Sequence, residues 1–263
     1  MMSRAAAALM LLLAATAPQA APGSSVPAEP NFRVVYDFYF AGLRVAKIVV
    51  AAQFAGDGYQ ATGRFQTVGV VDLFADLEVS SETVGKLGSG GLVPLHYRSR
   101  SEKRLVEVTF SDNGPSAVSA EPPYRQKPWS IEPGDQHGTT DPLSAVLSAV
   151  LPGSVEAACD RRVEAYDGRN RFAFEIGAPR PEDGRIRCDA TFIRLGGYKP
   201  KTMERDARRS FSLWLAERQP GRYHVVELTA PIDFGVANLL LNDQALSAFI
   251  STNRERTRGR RSP

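Results

Sequence analysis

From Phe32 onward the chain breaks into short runs rich in aromatic and β-branched residues, most of them ended by glycine or an aspartate–glycine pair. That punctuation constrains the fold more than any other feature. Such side chains suit a pleated, half-buried surface, and turns this frequent leave little room for a bundle of long helices. Phe32–Phe40 is followed by Ala41-Gly42 and then by Leu43–Phe54, where Leu43, Val45, Ile48 and Val50 are the candidate inward positions. Gly56-Asp57-Gly58 has hairpin-turn chemistry. Tyr59–Val71 resumes as strand. Leu73–Val84 reads as strand or short helix, its Ser80–Thr83 half favouring strand, and Gly85–Gly91 reads as a loop. Leu92–Ser101 and Arg104–Ser111 make a further hairpin. His96, Arg98 and Arg100 share one parity and Leu95, Tyr97 and Ser99 the other, the pattern of a sheet wetted on one side.

Prolines 122, 123, 128 and 133 make Glu121–Gly134 an extended crossing segment. Asp141–Leu151 is then predicted to be helical. Thr140 or Asp141 supplies a cap, Pro142 sits in the first turn, and Pro152-Gly153 ends it. Leu143, Val146, Leu147 and Val150 form an apolar stripe. The opposite face, Ser144, Ala145, Ser148 and Ala149, is small and uncharged, so the helix is predicted to plug or cap a sheet. Arg161–Tyr166 and Arg169–Ile176 flank an Asp167-Gly168 turn, with Phe172, Phe174 and Ile176 alternating. Arg187–Arg194, Phe211–Ala216, Tyr223–Thr229 and Val236–Leu241 read as the last strands, although Val236–Ile250 also suits a helix. The predicted fold is mainly β: a curved antiparallel sheet, open barrel or β-spiral. It would hold about ten to twelve strands and one or two short helices.

The ends carry different information. Arg4 followed by the Ala/Leu/Met stretch Ala5–Ala15 and small residues up to Ala21 has the layout of a signal peptide over residues 1–21, too short to span a bilayer. Residues 22–30 read as a flexible linker, 31–251 as one β-rich domain and 252–263 as a basic disordered tail. With no cysteine before Cys159, the expected location is periplasmic, soluble and without a lipid anchor. Net charge is +3, but Arg254–Pro263 holds five arginines and one glutamate, and the remaining body is slightly acidic. This argues against nucleic acid as a partner. It leaves weak contact of the tail with anionic membrane surfaces.

Cys159 and Cys188 are the two cysteines. In an exported chain an even pair reads as a disulfide. Closing this loop stabilises the fold by roughly 3 to 4 kcal/mol in the loop-entropy model. A reactive thiol pair would more often show a C-x-x-C spacing, and zinc would need two further ligands from a chain with three histidines, His96, His137 and His224.

Several short motifs follow in order: Ala41-Gly42-Leu43, Thr67-Val68-Gly69, Gly91–Pro94 leading into Tyr97, Pro122-Pro123, Gly138–Ser144, Cys159, Tyr166–Arg171, Cys188 and Gly196-Gly197-Tyr198. Their order resembles the bacterial exported family catalogued as domain of unknown function 3108. The resemblance implies a periplasmic β-rich protein, with a looser likeness in shape to other curved-sheet envelope proteins. It implies no catalytic residue.

The residues themselves offer three candidate sites and no cofactor. Asp135, His137 and Asp141 are the one local cluster of ligand-type side chains, readable as a half metal site or a base with its orienting carboxylate, against a turn followed by the helix start Asp141-Pro142. Asp167, Gly168, Arg169 and Arg171 form a candidate anion-binding turn, against a plain hairpin with solvated arginines. Phe38, Phe40, Phe65, Phe74, Tyr97, Phe172, Phe174 and Trp214 could line an apolar cavity or fill a core. The leading expectation is a non-enzymatic envelope protein with a structural, assembly or interaction role, its partner an envelope protein, glycan or lipid. The alternative is a carrier or sensor of an apolar ligand such as a lipid or acyl chain. A hydrolase or metal enzyme around Asp135, His137 and Asp141 stands third.

Overall fold

A computed structural model describes residues 30–69, 77–232 and 235–246. The expected leader, nearly all of the linker, the basic tail and Phe74 lie outside these residues.

Seven strands come first: β1 (Phe32–Phe40), β2 (Leu43–Ala55), β3 (Gly58–Thr67), β4 (Glu78–Gly88), β5 (Gly91–Ser101), β6 (Leu105–Ser111) and β7 (Gly114–Glu121). The crossing segment leads to α1 (Pro142–Val150) and the short α2 (Val155–Ala158). Then follow β8 (Arg161–Tyr166), β9 (Arg171–Ile176), β10 (Arg180–Glu182), β11 (Arg185–Gly196), α3 (Pro200–Asp206), β12 (Arg208–Gln219), β13 (Arg222–Ile232) and β14 (Gly235–Leu241). All strands form one antiparallel sheet in the order β7-β6-β5-β4-β3-β2-β1-β14-β13-β12-β11-β9-β8, with β10 a flap on β11. The two halves meet where β1 pairs with β14, Tyr36 opposite Leu241 and Phe38 opposite Leu239. Asp37 pins this seam, accepting the Asn242 amide at 2.9 Å and pairing with Arg44 at 2.9 Å.

The sheet curls until its edge strands, β7 and β8, nearly meet, and the crossing segment fills the remaining gap. Gly138 donates to the Asn113 carbonyl at 3.3 Å, Thr140 to Glu164 at 2.9 Å, and Tyr166 back to Thr140 at 2.9 Å. The Glu164 carbonyl and the Tyr166 N–H at the β8 edge are thereby satisfied. At the β8–β9 turn, Gly168 has φ +92°, and a Cβ there would lie 2.7 Å from Val106 Cγ1 and 3.2 Å from Val108 Cγ2.

α1 sits inside the curl. It packs against β3, β4 and β5 on one side and β8 and β13 on the other. Leu143, Leu147 and Val150 join Val34, Tyr36, Val50, Tyr59, Tyr97 and Val108 in the main core. The plugging helix expected from the sequence is therefore present, capped by Asp141 and opened by Pro142. A second core gathers Ile176, Leu213, Leu215 and Val225 around the Cys159–Cys188 disulfide, whose Cα atoms are 6.0 Å apart.

Several local expectations are corrected. Gly85–Gly91 is not a loop, because β4 runs through Gly88 and β5 starts at Gly91. The bare backbone of Gly85 gives the Tyr59 ring a surface to lie on, and a Cβ would collide with it. Leu43 is exposed rather than inward, and Val45 has the wrong parity. Val50 is inward as expected, with Ile48 packed against the core, and a register shift near Phe38 and Tyr39 adds Ala46 and Ala52 on that parity. Asp167-Gly168 is not a two-residue hairpin loop. β9 begins only at Arg171, and the Asp167 carboxylate accepts from the backbone N–H groups of Arg169 at 2.8 Å and Asn170 at 2.6 Å. The described residues form fourteen strands, above the ten to twelve expected. The ambiguous end resolves into strand β14 followed, after Asn242, by a helical turn from Asp243 to Leu246.

Candidate functional site

Between α1 and the concave face of the second half of the sheet lies a cavity of about 220 Å³. Its origin is legible in the helix. Ala145 and Ala149 face it with single methyl groups, where a larger side chain would reach the sheet. Val146 also lines it, which explains why a residue of the apolar stripe remains 38% exposed. The opposite wall is hydrocarbon from several strands, including Val163, Phe174, Leu228 and Leu239, and it extends to Ile48 and Val50 of β2. The Tyr36 hydroxyl at this wall is satisfied, donating to the Val225 carbonyl at 2.8 Å.

One lining residue is charged: Arg161, on the terminal strand β8. Its Nη2 donates to the Ser148 hydroxyl of α1 at 3.4 Å, while its buried Nε has no hydrogen-bond partner. Burial pushes the guanidinium pKa down from its usual value.

Of the aromatic residues expected to line a cavity, Phe174 alone among the described residues does so. Phe172 packs beside it with Phe192, ring centroids 5.7 and 5.3 Å from Phe172. Tyr97 belongs to the main core. Trp214 lies on the other face of β12 from Leu213 and Leu215, stacked under Arg185 at 4.3 Å and Arg187 at 5.4 Å. Phe38, Phe40 and Phe65 are half-buried and do not line the cavity. Aromatic content marks strands but not which end of a barrel they wall. The informative signal was the run of small residues at 144, 145, 148 and 149.

A buried polar cluster anchors the helix start. Asp141 is fully buried; Oδ1 accepts from the backbone of Leu143 at 2.8 Å and Ser144 at 2.9 Å. Its Oδ2 accepts the Thr83 hydroxyl at 2.9 Å and the Ser144 hydroxyl, which itself meets the Tyr59 hydroxyl at 2.6 Å. Burial drives the Asp141 pKa up, and the hydrogen bonds from Ser144, Thr83 and Leu143 draw it partly back. Asp135 and His137 are exposed on the loop, away from this cluster, with His137 Nδ1 3.3 Å from the Asn113 carbonyl. The three ligand-type residues therefore do not converge. Among the described residues no group of three or more acidic, histidine or cysteine side chains is placed to hold a metal.

The Asp167–Arg171 turn has its arginines engaged. Arg171 pairs with Glu164 at 2.6 Å, and Arg169 lies over the Tyr124 ring at 5.2 Å. On the outer face a polar groove holds Glu175, Arg187, Asp189, Arg208 and Ser212, whose charges pair with one another: Arg187 with Asp189 at 3.0 Å and Arg208 with Glu175 at 3.1 Å. No helix among the described residues is long and apolar enough to cross a membrane.

Searches of curated proteins and of solved structures return no match. The family model described as protein of unknown function (DUF3108) matches residues 35–242, which takes in both halves of the sheet, the plugging helix, both cysteines and the cavity. The chain belongs to that family.

Proposed function

We propose that this protein carries or senses an apolar ligand, held in the cavity between α1 and the second half of the sheet. The observation that carries the reading is the unfilled, hydrocarbon-lined space beside a helix face of alanines. Protein interiors are close-packed, and a void costs about 24 cal/mol per Å³. Left unfilled, about 220 Å³ of hydrocarbon-lined space forfeits the packing contacts a close-packed interior makes. A purely structural or assembly role does not call for such a space; a ligand that fills it does. The leader-like residues 1–21 and the Cys159–Cys188 disulfide support work in an oxidising compartment outside the cytosol.

The test is direct. Protein purified without detergent is extracted with organic solvent and the extract examined by mass spectrometry, alongside an Ala149→Phe variant that fills the cavity. Wild type is expected to release an apolar compound that the variant lacks, with the variant's melting temperature unchanged or raised. Blank extracts from wild type, together with no binding of added 1-decanol, overturn the reading.

A further inference from the structure

The burial of the cavity wall is graded along the strands. On three of them one lining residue is buried and the next inward-facing one is only half-buried: Val50 and Ile48 on β2, Ile176 and Phe174 on β9, Leu213 and Phe211 on β12. In every pair the half-buried residue lies nearer the same end of the sheet. At that end β1 turns into β2 through Ala41-Gly42, β14 begins, and β11 leads through α3 into β12. Val146 of α1, which lines the cavity, is itself exposed. Among the described residues the cavity therefore opens toward that end.

Two surface features meet there. Leu43, at 58% the most exposed large apolar side chain among the described residues, stands on the lip with exposed Val236 at the start of β14 and exposed Leu195 near the end of β11. Beside them, the stretch from Lys199 to Arg209 that includes α3 holds five cationic side chains against two acidic ones, in a body that is slightly acidic as a whole. Asp206 pairs with Arg209 at 3.0 Å, while exposed Lys199 and Lys201 form no ion pair among the described residues. An uncovered apolar lip marks a contact surface. Free lysines next to it favour an anionic one. Apolar side chains alone would suit a protein partner, and cations alone would suit any polyanion; both together, around the mouth of an apolar cavity, suit a lipid surface.

We infer that this end docks on a bilayer containing anionic lipid, with Leu43 and Val236 entering the interface and Lys199 and Lys201 facing the headgroups. The inference extends the apolar-ligand reading by giving the ligand a route between bilayer and cavity, and it is tested apart from that reading.

The experiment is co-sedimentation of the full chain with vesicles of equimolar phosphatidylcholine and phosphatidylglycerol, and with vesicles of phosphatidylcholine alone. Wild type is expected to bind the mixed vesicles about tenfold or more tightly, and to lose that binding as salt rises. Replacing Lys199→Gln and Lys201→Gln together is expected to weaken it about tenfold or more. Leu43→Glu is expected to weaken it by about tenfold. Both variants alter exposed positions, and each decides if the other misfolds. Absence of wild-type binding to the mixed vesicles overturns the docking and leaves the cavity to be judged by its extract. Undiminished binding by either folded variant also overturns it, because the contact then lies elsewhere, as on the arginine-rich residues 254–263.

Discussion

Asp141, the N-cap of the plugging helix, accepts a hydrogen bond at 2.9 Å from the hydroxyl of Thr83, which stands on β4 58 residues earlier in the chain. The helix is thus fastened to the wall by a buried carboxylate that also caps its own first turn. Loss of the side chain costs both functions.

Asp141→Ala is expected to destabilise the fold by about 1.5–5 kcal/mol: about 0.5–2 for the cap and about 1–3 for the stranded hydroxyls of Thr83 and Ser144. Asp141→Asn keeps an acceptor for the helix N–H groups and is expected to fold well. The sign of its pH dependence follows from the raised pKa. Between the unfolded value near 3.8 and the higher folded one, the native state holds a proton the unfolded chain has released, so wild type loses stability as pH rises through that window. Urea unfolding at pH 4 and pH 7.5 is expected to show the Asn variant gaining on wild type at the higher pH.

His224 on β13 is buried, and its pKa is lowered first by that burial and then by Arg218 and Arg222. The unfolded chain takes up a proton near 6.5 where the folded one does not. Stability is therefore expected to decline as pH falls below that value toward the folded pKa. Melting curves between pH 7 and 5 check this, and His224→Gln is expected to flatten the decline.

Replacing Cys159 and Cys188 together by alanine is expected to cost about 3–4 kcal/mol in the loop-entropy account. Reduction of the wild type with dithiothreitol should move the urea midpoint by a similar amount. A much smaller change would mean that the core of Ile176, Leu213 and Leu215 holds this corner unaided.

Gly168→Ala combines a positive φ with a Cβ 2.7 Å from Val106 Cγ1 and is expected to cost about 2–4 kcal/mol, because the closing seam must open to admit the methyl group. Gly184→Ala, at φ +72° with nothing within 4 Å of the new atom, is expected to cost about 1 kcal/mol. The difference between their melting temperatures isolates the contact across the seam.

Much of the fold is legible in the sequence where local chemistry decides. Phe32–Phe40 and Ala41-Gly42 read as strand and turn because both signals are local. The helix start reads correctly because Asp141 and Pro142 cap and open it from within three residues. β7 (GPSAVSAE) went unread because its small residues carry almost no β-type signal; it is a strand through pairing with β6. Gly85 misled because its role is tertiary, a clearance for the Tyr59 ring. For the same reason the cavity was misplaced onto aromatic strands. It depends on which face of α1 turns toward the second half of the sheet, and no local pattern states that. Arg161 gave no sign at all, since nothing in the sequence tells a paired arginine from an unpaired one.

The strand order has a consequence for assembly. Each half is a fan of hairpins that zips from neighbour to neighbour, and the meeting of β1 with β14 pairs strands whose residues lie some 200 apart, as Asp37 and Asn242 show. Non-local closure is the slow event in such a chain, so the two fans should form early and the central suture late. α1 precedes the second fan in the chain yet buries Leu143 against Gly63 of the first. It is the clasp, and a chain nicked in the proline-rich crossing should still snap together through it.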